Sequence, residues 1–188
     1  MTEKKAIAYR RGSHKDRTAL QQLRIDAYGG YAAILTAENA KILNDGLHNE
    51  ATLDELMARA TVFVATHDEQ VVGMAFVWPS GVASPVLDAD WAQLRMVGVH
   101  PHYRGQGIAR MLTQMCIHHA ILSNEHTLAL HTAEFMDAAR HIYGSLGFKI
   151  LREIDPIFGK RYWVYTLTLK QKEKQAHEGD TYNYSVQL

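Results

Sequence analysis

The chain has one cysteine, Cys116, so no disulfide can form within it, a usage suited to a reducing compartment. Neither sign of charge is in excess, because 20 acidic and 20 basic residues leave the formal net charge at zero. That balance excludes a global field favouring nucleic acid or an anionic membrane surface, and neither is an expected partner. No apolar run reaches the roughly 20 residues that a membrane-spanning helix needs. The opening MTEKKAIAYRRG lacks the apolar core of a signal peptide, which makes cytoplasmic the expected compartment. Repeats and low-complexity tracts are also missing. The histidines, including His100 with His102 and His118 with His119, fall into no ligand set with cysteine or carboxylates at a recognised spacing. No metal is therefore expected.

What is present suffices for one buried core, with 47% hydrophobic residues in 188. Ala6 to Tyr9 reads as a first strand, with Arg10 to Asp16 as turn and cap. A helix carrying Leu20, Leu23, Ile25 and Ala27 runs to Gly29-Gly30, and Thr36 opens a second through Ile42 and Leu43 to Gly46. Thr52, with Glu55 three residues on, has the capping-box spacing for a third. The apolar period then shortens. Thr61 to Thr66 and Val71 to Trp78, joined by His67-Asp68-Glu69, predict an antiparallel hairpin. A loop over Pro79 to Asp90 precedes a strand at Ala92 to Val99. Met111, Leu112, Met115, Cys116 and Ala120 mark one face of a helix starting near Ile108. Thr127 to Thr132 is a strand, Asp137 to Leu146 a helix closed by Gly147, and Phe148 to Leu151 and Tyr162 to Leu169 are strands. This mixed order argues for a mixed sheet with helices on both faces.

The stretch VHPHYRGQGIARML, between strand and helix, admits three readings. It is ordinary turn punctuation, a dinucleotide fingerprint, or an anion cradle of another kind. The fingerprint requires G-x-G-x-x-G/A, and here Gly105-x-Gly107 is followed by Arg110, a poor fit. As a cradle, Arg104, Gly105, Gln106, Gly107, Ile108 and Ala109 turn successive backbone N–H groups inward at a helix start, where the dipole adds to them.

LRMVGVHPHYRGQGIARML resembles motif A of the GNAT superfamily of N-acetyltransferases, written Arg/Gln-x-x-Gly-x-Gly/Ala after a strand ending in V-x-P. Arg104, Gly107 and Ala109 occupy the signature positions, preceded by Val99 and Pro101. AARHIYGSLGF resembles the family's motif B, A-x-x-x-Y-x-x-x-G-F, through Ala139, Tyr143, Gly147 and Phe148. The resemblance implies an α/β GNAT fold: a mixed, mostly antiparallel sheet splayed between strands 4 and 5, with helices on both faces. It places the acetyltransferase domain over residues 1–170 and a polar tail over 171–188.

It also implies acetyl-CoA as co-substrate, its pyrophosphate held by Arg104 to Ala109. The pantetheine arm would lie against the backbone of Val97, Gly98 and Val99, with an N–H near Val99 polarising the thioester carbonyl. Ala139 and Met136 would flank the arm, Met136 standing where many members have an asparagine. Tyr143 would be the general acid for the departing thiolate. Gln93 stands where many members have a catalytic glutamate, and glutamine accepts no proton at neutral pH. His100, His131, Glu134 and Asp137 are the alternative bases by position.

Tyr28, Tyr31 and Trp78 are candidates for lining the acceptor pocket or for packing, and the pocket falls to residues 28–56 and 80–90. The implied reaction is acetyl transfer from acetyl-CoA to a primary amine, on a small molecule or a peptide, by direct attack. A non-catalytic acyl-CoA-binding module is the alternative, and a second copy of the chain is a candidate partner.

Overall fold

The computed structural model describes residues 6–82 and 84–170; the expected tail over 171–188 lies outside the described residues. Seven strands form one sheet: β1 (Ala8–Arg11), β2 (Thr61–His67), β3 (Gln70–Trp78), β4 (Ala92–Val99), β5 (Thr127–Ala133), β6 (Lys149–Ile157) and β7 (Lys160–Thr168). Their order across the sheet is β1-β2-β3-β4-β5-β7-β6. Every pairing is antiparallel except β4 with β5. The helices are α1 (Arg17–Tyr28), α2 (Ala37–His48), α3 (Glu50–Arg59), α4 (Ile108–Leu122) and α5 (Asp137–Ser145).

β3 divides the core in two, its alternation shifted by one residue at Val72, where the register with β2 slips. Val72, Ala75 and Val77 face Leu112, Cys116 and Ala120 of α4, while Val71, Met74, Phe76 and Trp78 face Leu20 and Leu23 of α1 and Leu53 and Leu56 of α3. A strand buried on both faces loses the polar half of its pattern, and β3 shows this in its unbroken apolar run. Gly73 makes the α4 face possible. A Cβ there would lie 2.7 Å from Ile108 Cγ2 and 3.0 Å from Leu112 Cδ1, so the missing side chain sets how closely α4 seats.

Several expected boundaries move. The first strand is Ala8–Arg11 rather than Ala6 to Tyr9, and its basic end is accommodated because Arg10 forms a two-pronged ion pair with Asp16. On α1 the fourth inward residue is Arg24, not Ile25. Its guanidinium donates to the Gly46 carbonyl and to the Thr52 hydroxyl. Thr52 is therefore no cap. Asn49, extended at the junction of α2 and α3, accepts from the Ala51 N–H and starts α3 three residues earlier. The strand expected at Phe148 to Leu151 runs on as β6 to Ile157, an exposed edge whose pairing with β7 its own apolar pattern does not reveal.

Candidate active site at the splayed strands

Parallel pairing of β4 with β5 is confined to Ala92 with Leu128 and Gln93 with Ala129. Beyond Gln93 the two strands part. On its other side β4 carries a bulge, because Met74 pairs with Gly98 and Phe76 with Arg95, leaving Ala75 opposite both Met96 and Val97. Met96 takes φ +51°, a left-handed conformation that a non-glycine residue adopts at a cost. The bulge re-aims the strand where it leaves β5. The Tyr28 hydroxyl donates to the Val97 carbonyl at 2.7 Å, tying α1 to this segment.

A cleft of about 660 Å³ opens in the gap. Of the residues singled out by sequence, Val97, Gly98, Val99, Arg104, Gly105, Gly107, Ile108, Ala109, Met136, Ala139 and Tyr143 line it. Gln106 is exposed and outside the lining. Gly105 and Gly107 have φ of +76° and +78°, and a Cβ on either would meet nothing within 4 Å. Both conformations favour glycine, and the space beside them is open. Gly107 is the N-cap of α4 and offers no side chain to the helix N–H groups. The first helical bond runs from the Met111 N–H to the Gly107 carbonyl. The N–H groups of Ile108, Ala109 and Arg110 thus have no protein acceptor among the described residues, which is the chemistry an anionic group needs at a helix start. A pyrophosphate fits this cradle. Arg104 is exposed, and its guanidinium donates to the Ala27 carbonyl at 2.8 Å, which fastens the end of α1.

Tyr143 enters from α5, buried in edge contact with Phe148. Burial pushes its hydroxyl pKa well above the usual tyrosine range, so it stays protonated. Among the described residues that hydroxyl has no hydrogen-bond partner. Met136 packs its sulfur against the Thr132 hydroxyl at 3.4 Å. Gln93 is buried at 1% exposure and donates its amide to the Val82 carbonyl, while its own oxygen is without a partner.

The alternative bases are dispersed. Glu134 accepts from the Arg161 backbone N–H, Asp137 is exposed beside Arg140, and His100 accepts from the His102 N–H. His131 lines the cleft, and burial, with a smaller effect of Arg95, pushes its imidazole down to about 4. Tyr28 and Tyr31 line the cleft, as do Leu35, Leu43, Leu47 and Leu87 from the two segments expected to shape it. Trp78 does not; it packs in the core beneath Arg95, whose guanidinium carbon is 4.6 Å from the indole centroid.

Arg95, Phe135 and Tyr162 also line the cleft and escaped the sequence reading. The available signal was an arginine inside the apolar run AQLRMVGV. Among the described residues, no helix is long and apolar enough to cross a membrane, and no group of three or more His, Cys, Asp or Glu is arranged to hold a metal.

Residues 58–150 match the family model of the acetyltransferase (GNAT) domain. The chain is 34% identical over 93 residues to N-acetylaspartate synthetase of Danio rerio, covering 50% of this chain and 31% of that relative's length. Its fold is similar to that of the ribosomal-protein-S18-alanine N-acetyltransferase of Escherichia coli, with a TM-score of 0.67 at 18% identity over 92% of this chain and 100% of the other. It is also similar to the PaiA N-acetyltransferase of Thermoplasma acidophilum in complex with coenzyme A, with a TM-score of 0.70 at 15% identity over 87% and 99% of the two chains.

Proposed function

We propose, from the premise that this chain belongs to the GNAT superfamily of acetyltransferases, that it transfers the acetyl group of acetyl-CoA to a primary amine. One observation carries the reading: the side-chain-free start of α4 and the unpartnered Tyr143 hydroxyl open on the same cleft between the parted strands. The N–H groups of Ile108 to Arg110 would hold the pyrophosphate, and the unpaired edge of β4 at Val97 to Val99 would run along the pantetheine arm. Acetyl-CoA supplies the acyl group as a thioester.

The amine nitrogen bonds to the acyl carbon, the C–S bond breaks, and the sulfur takes the Tyr143 proton. A hydroxyl kept protonated by burial suits that donor role. The nitrogen gives its proton to water, from which the Tyr143 oxygen regains the proton it lost, with His131 neutral and able to accept a hydrogen bond from the amine.

The test measures thiol release from acetyl-CoA with a panel of amines, beside calorimetric binding of acetyl-CoA. Tyr143→Phe is expected to lower kcat by about 100-fold at an unchanged acetyl-CoA Kd. Tight binding with no acetylation of any amine, peptide or lysate component would favour the second reading, a non-catalytic acyl-CoA-binding module. Gln93, whose side-chain amide donates a hydrogen bond to the Val82 carbonyl at a position where many family members have a glutamate base, is the observation on that side. No binding of acetyl-CoA would sink both.

A further inference from the structure

We propose that the acceptor bears a carboxylate beside an apolar body, as an apolar α-amino acid does, and that Arg95 binds the carboxylate. The proposal rests on the acetyltransferase reading and names the substrate class for that site.

Arg95 projects into the cleft from the splayed part of β4. Its guanidinium stacks on Trp78, which fixes one face of the fork and leaves its edge for another group. Among the described residues it has neither a hydrogen bond nor an ion pair; Glu55 acts on it only from beyond ion-pair reach. A half-buried cation without an anion is costly, and a bound carboxylate relieves that cost through two parallel hydrogen bonds.

The rest of the cleft agrees. No described lining residue is aspartate or glutamate, so nothing there attracts a polyamine or a lysine-rich tail. The other arginine in the lining, Arg104, is committed to the Ala27 carbonyl. The Tyr31 ring is 4.9 Å from Phe135, which is 6.3 Å from Tyr162, and Leu35, Leu43 and Phe158 extend this apolar wall. Arg95 stands on the same splayed strand as Val97, separated from it by the bulge at Met96. The coenzyme's phosphates are no substitute, because their cradle at Gly105 to Ala109 lies beyond the far end of β4. The chemistry of transfer is that given above, and the carboxylate takes no part in it.

The test uses the full chain saturated with coenzyme A and calorimetric titration with leucine, methionine, phenylalanine and tryptophan. Each is paired with its amide and with the amine lacking the carboxylate. At least one amino acid is expected to bind 10-fold or more tighter than both counterparts. Arg95→Met is expected to erase that preference at an unchanged acetyl-CoA Kd, and Arg95→Lys to keep part of it. In turnover, the preferred amino acid should show a KM raised at least 10-fold in Arg95→Met, against little change in kcat.

Equal binding of amino acids and their counterparts would overturn the proposal while leaving acetyl transfer standing. So would an Arg95→Met loss common to carboxylate-bearing and carboxylate-free amines, which would make Arg95 a packing residue. Failure of acetyl-CoA to bind the wild type would remove the acetyltransferase reading itself, and this one with it.

Discussion

The two ends of the cleft work by different means. At the start of α4 the groups on offer are backbone N–H, exposed because Gly105 and Gly107 carry no side chain and sit at positive φ. Around Arg95 the groups are side chains: a guanidinium on an indole, a run of aromatic rings and an imidazole held neutral by burial. A backbone site dictates residue type at fixed spacing, since a positive φ favours glycine and the missing side chain leaves the N–H groups open. A side-chain site is satisfied from many positions, here from β4, β5, the turn after α1 and the connection between β6 and β7. The first end is therefore rigid in sequence, and the second is free to change acceptor without disturbing the first.

The largest effect should come from filling the first end. Gly107→Trp places an indole in the open space beside the α4 N–H groups and forces a strained φ on a bulky residue. Calorimetry should show acetyl-CoA affinity weakened by about 1,000-fold, or roughly 4 kcal/mol. A Kd within tenfold of wild type would mean that the cradle is not where the coenzyme binds. Gly73→Val attacks the same end from below. Its methyls would drive into Ile108 and Leu112, lifting α4 from the sheet at an expected cost of about 3 kcal/mol. Thermal unfolding should register that loss, and acetyl-CoA binding should weaken with it.

The same contrast explains what the sequence could and could not say. The glycine and proline spacing pointed by itself to an anion cradle, while the parting of β4 from β5 and the place of Tyr143 were implied by the family resemblance that the two motifs carry. The cap of α3 was misplaced because Thr52 and Asn49 are both competent capping residues, and what excludes Thr52 is a hydrogen bond from Arg24, more than 20 residues away in sequence. Arg95 left a local signal, an arginine inside an apolar run, but not its meaning. That comes from Trp78 on the neighbouring strand β3 and from the lack of acids among the described lining residues, which sit on elements far apart in the chain. The length of β6 was hidden for a related reason. As an exposed edge strand held on one side by β7, it needs no apolar period of its own.

Acid should distinguish the ends next. His131 has its pKa pushed down by burial, to about 4, so the folded chain resists a proton that the unfolded chain binds near 6.5. The stability this represents is present above about pH 6.5 and is lost as pH falls toward 4, by on the order of 3 kcal/mol. His131→Gln should flatten that part of the stability profile in chemical denaturation. His119, lowered mainly by burial on the opposite face of the sheet, retains its own share. An unchanged profile would mean that His131 is solvated and already titrates normally.

The smallest effect tests whether the two ends are separable at all. Tyr28 lines the cleft with its ring and donates a hydrogen bond from its hydroxyl to the Val97 carbonyl, on the strand edge proposed to meet the coenzyme. Burial raises its pKa well above the ordinary tyrosine value, so it remains a donor across the working pH range. Tyr28→Phe removes one hydrogen bond and leaves the ring in place. The expected cost is about 1 kcal/mol of stability, a fall in Tm of roughly 2–4 °C for a chain of this size. Acetyl-CoA affinity should stay within about threefold, because the bulge at Met96 and Val97 is fixed by the register with β3 rather than by this hydroxyl. A tenfold loss of affinity would show instead that α1 sets the shape of the β4 edge. A change in the acceptor-side wall would then be felt by the coenzyme, and the two ends would have to evolve together.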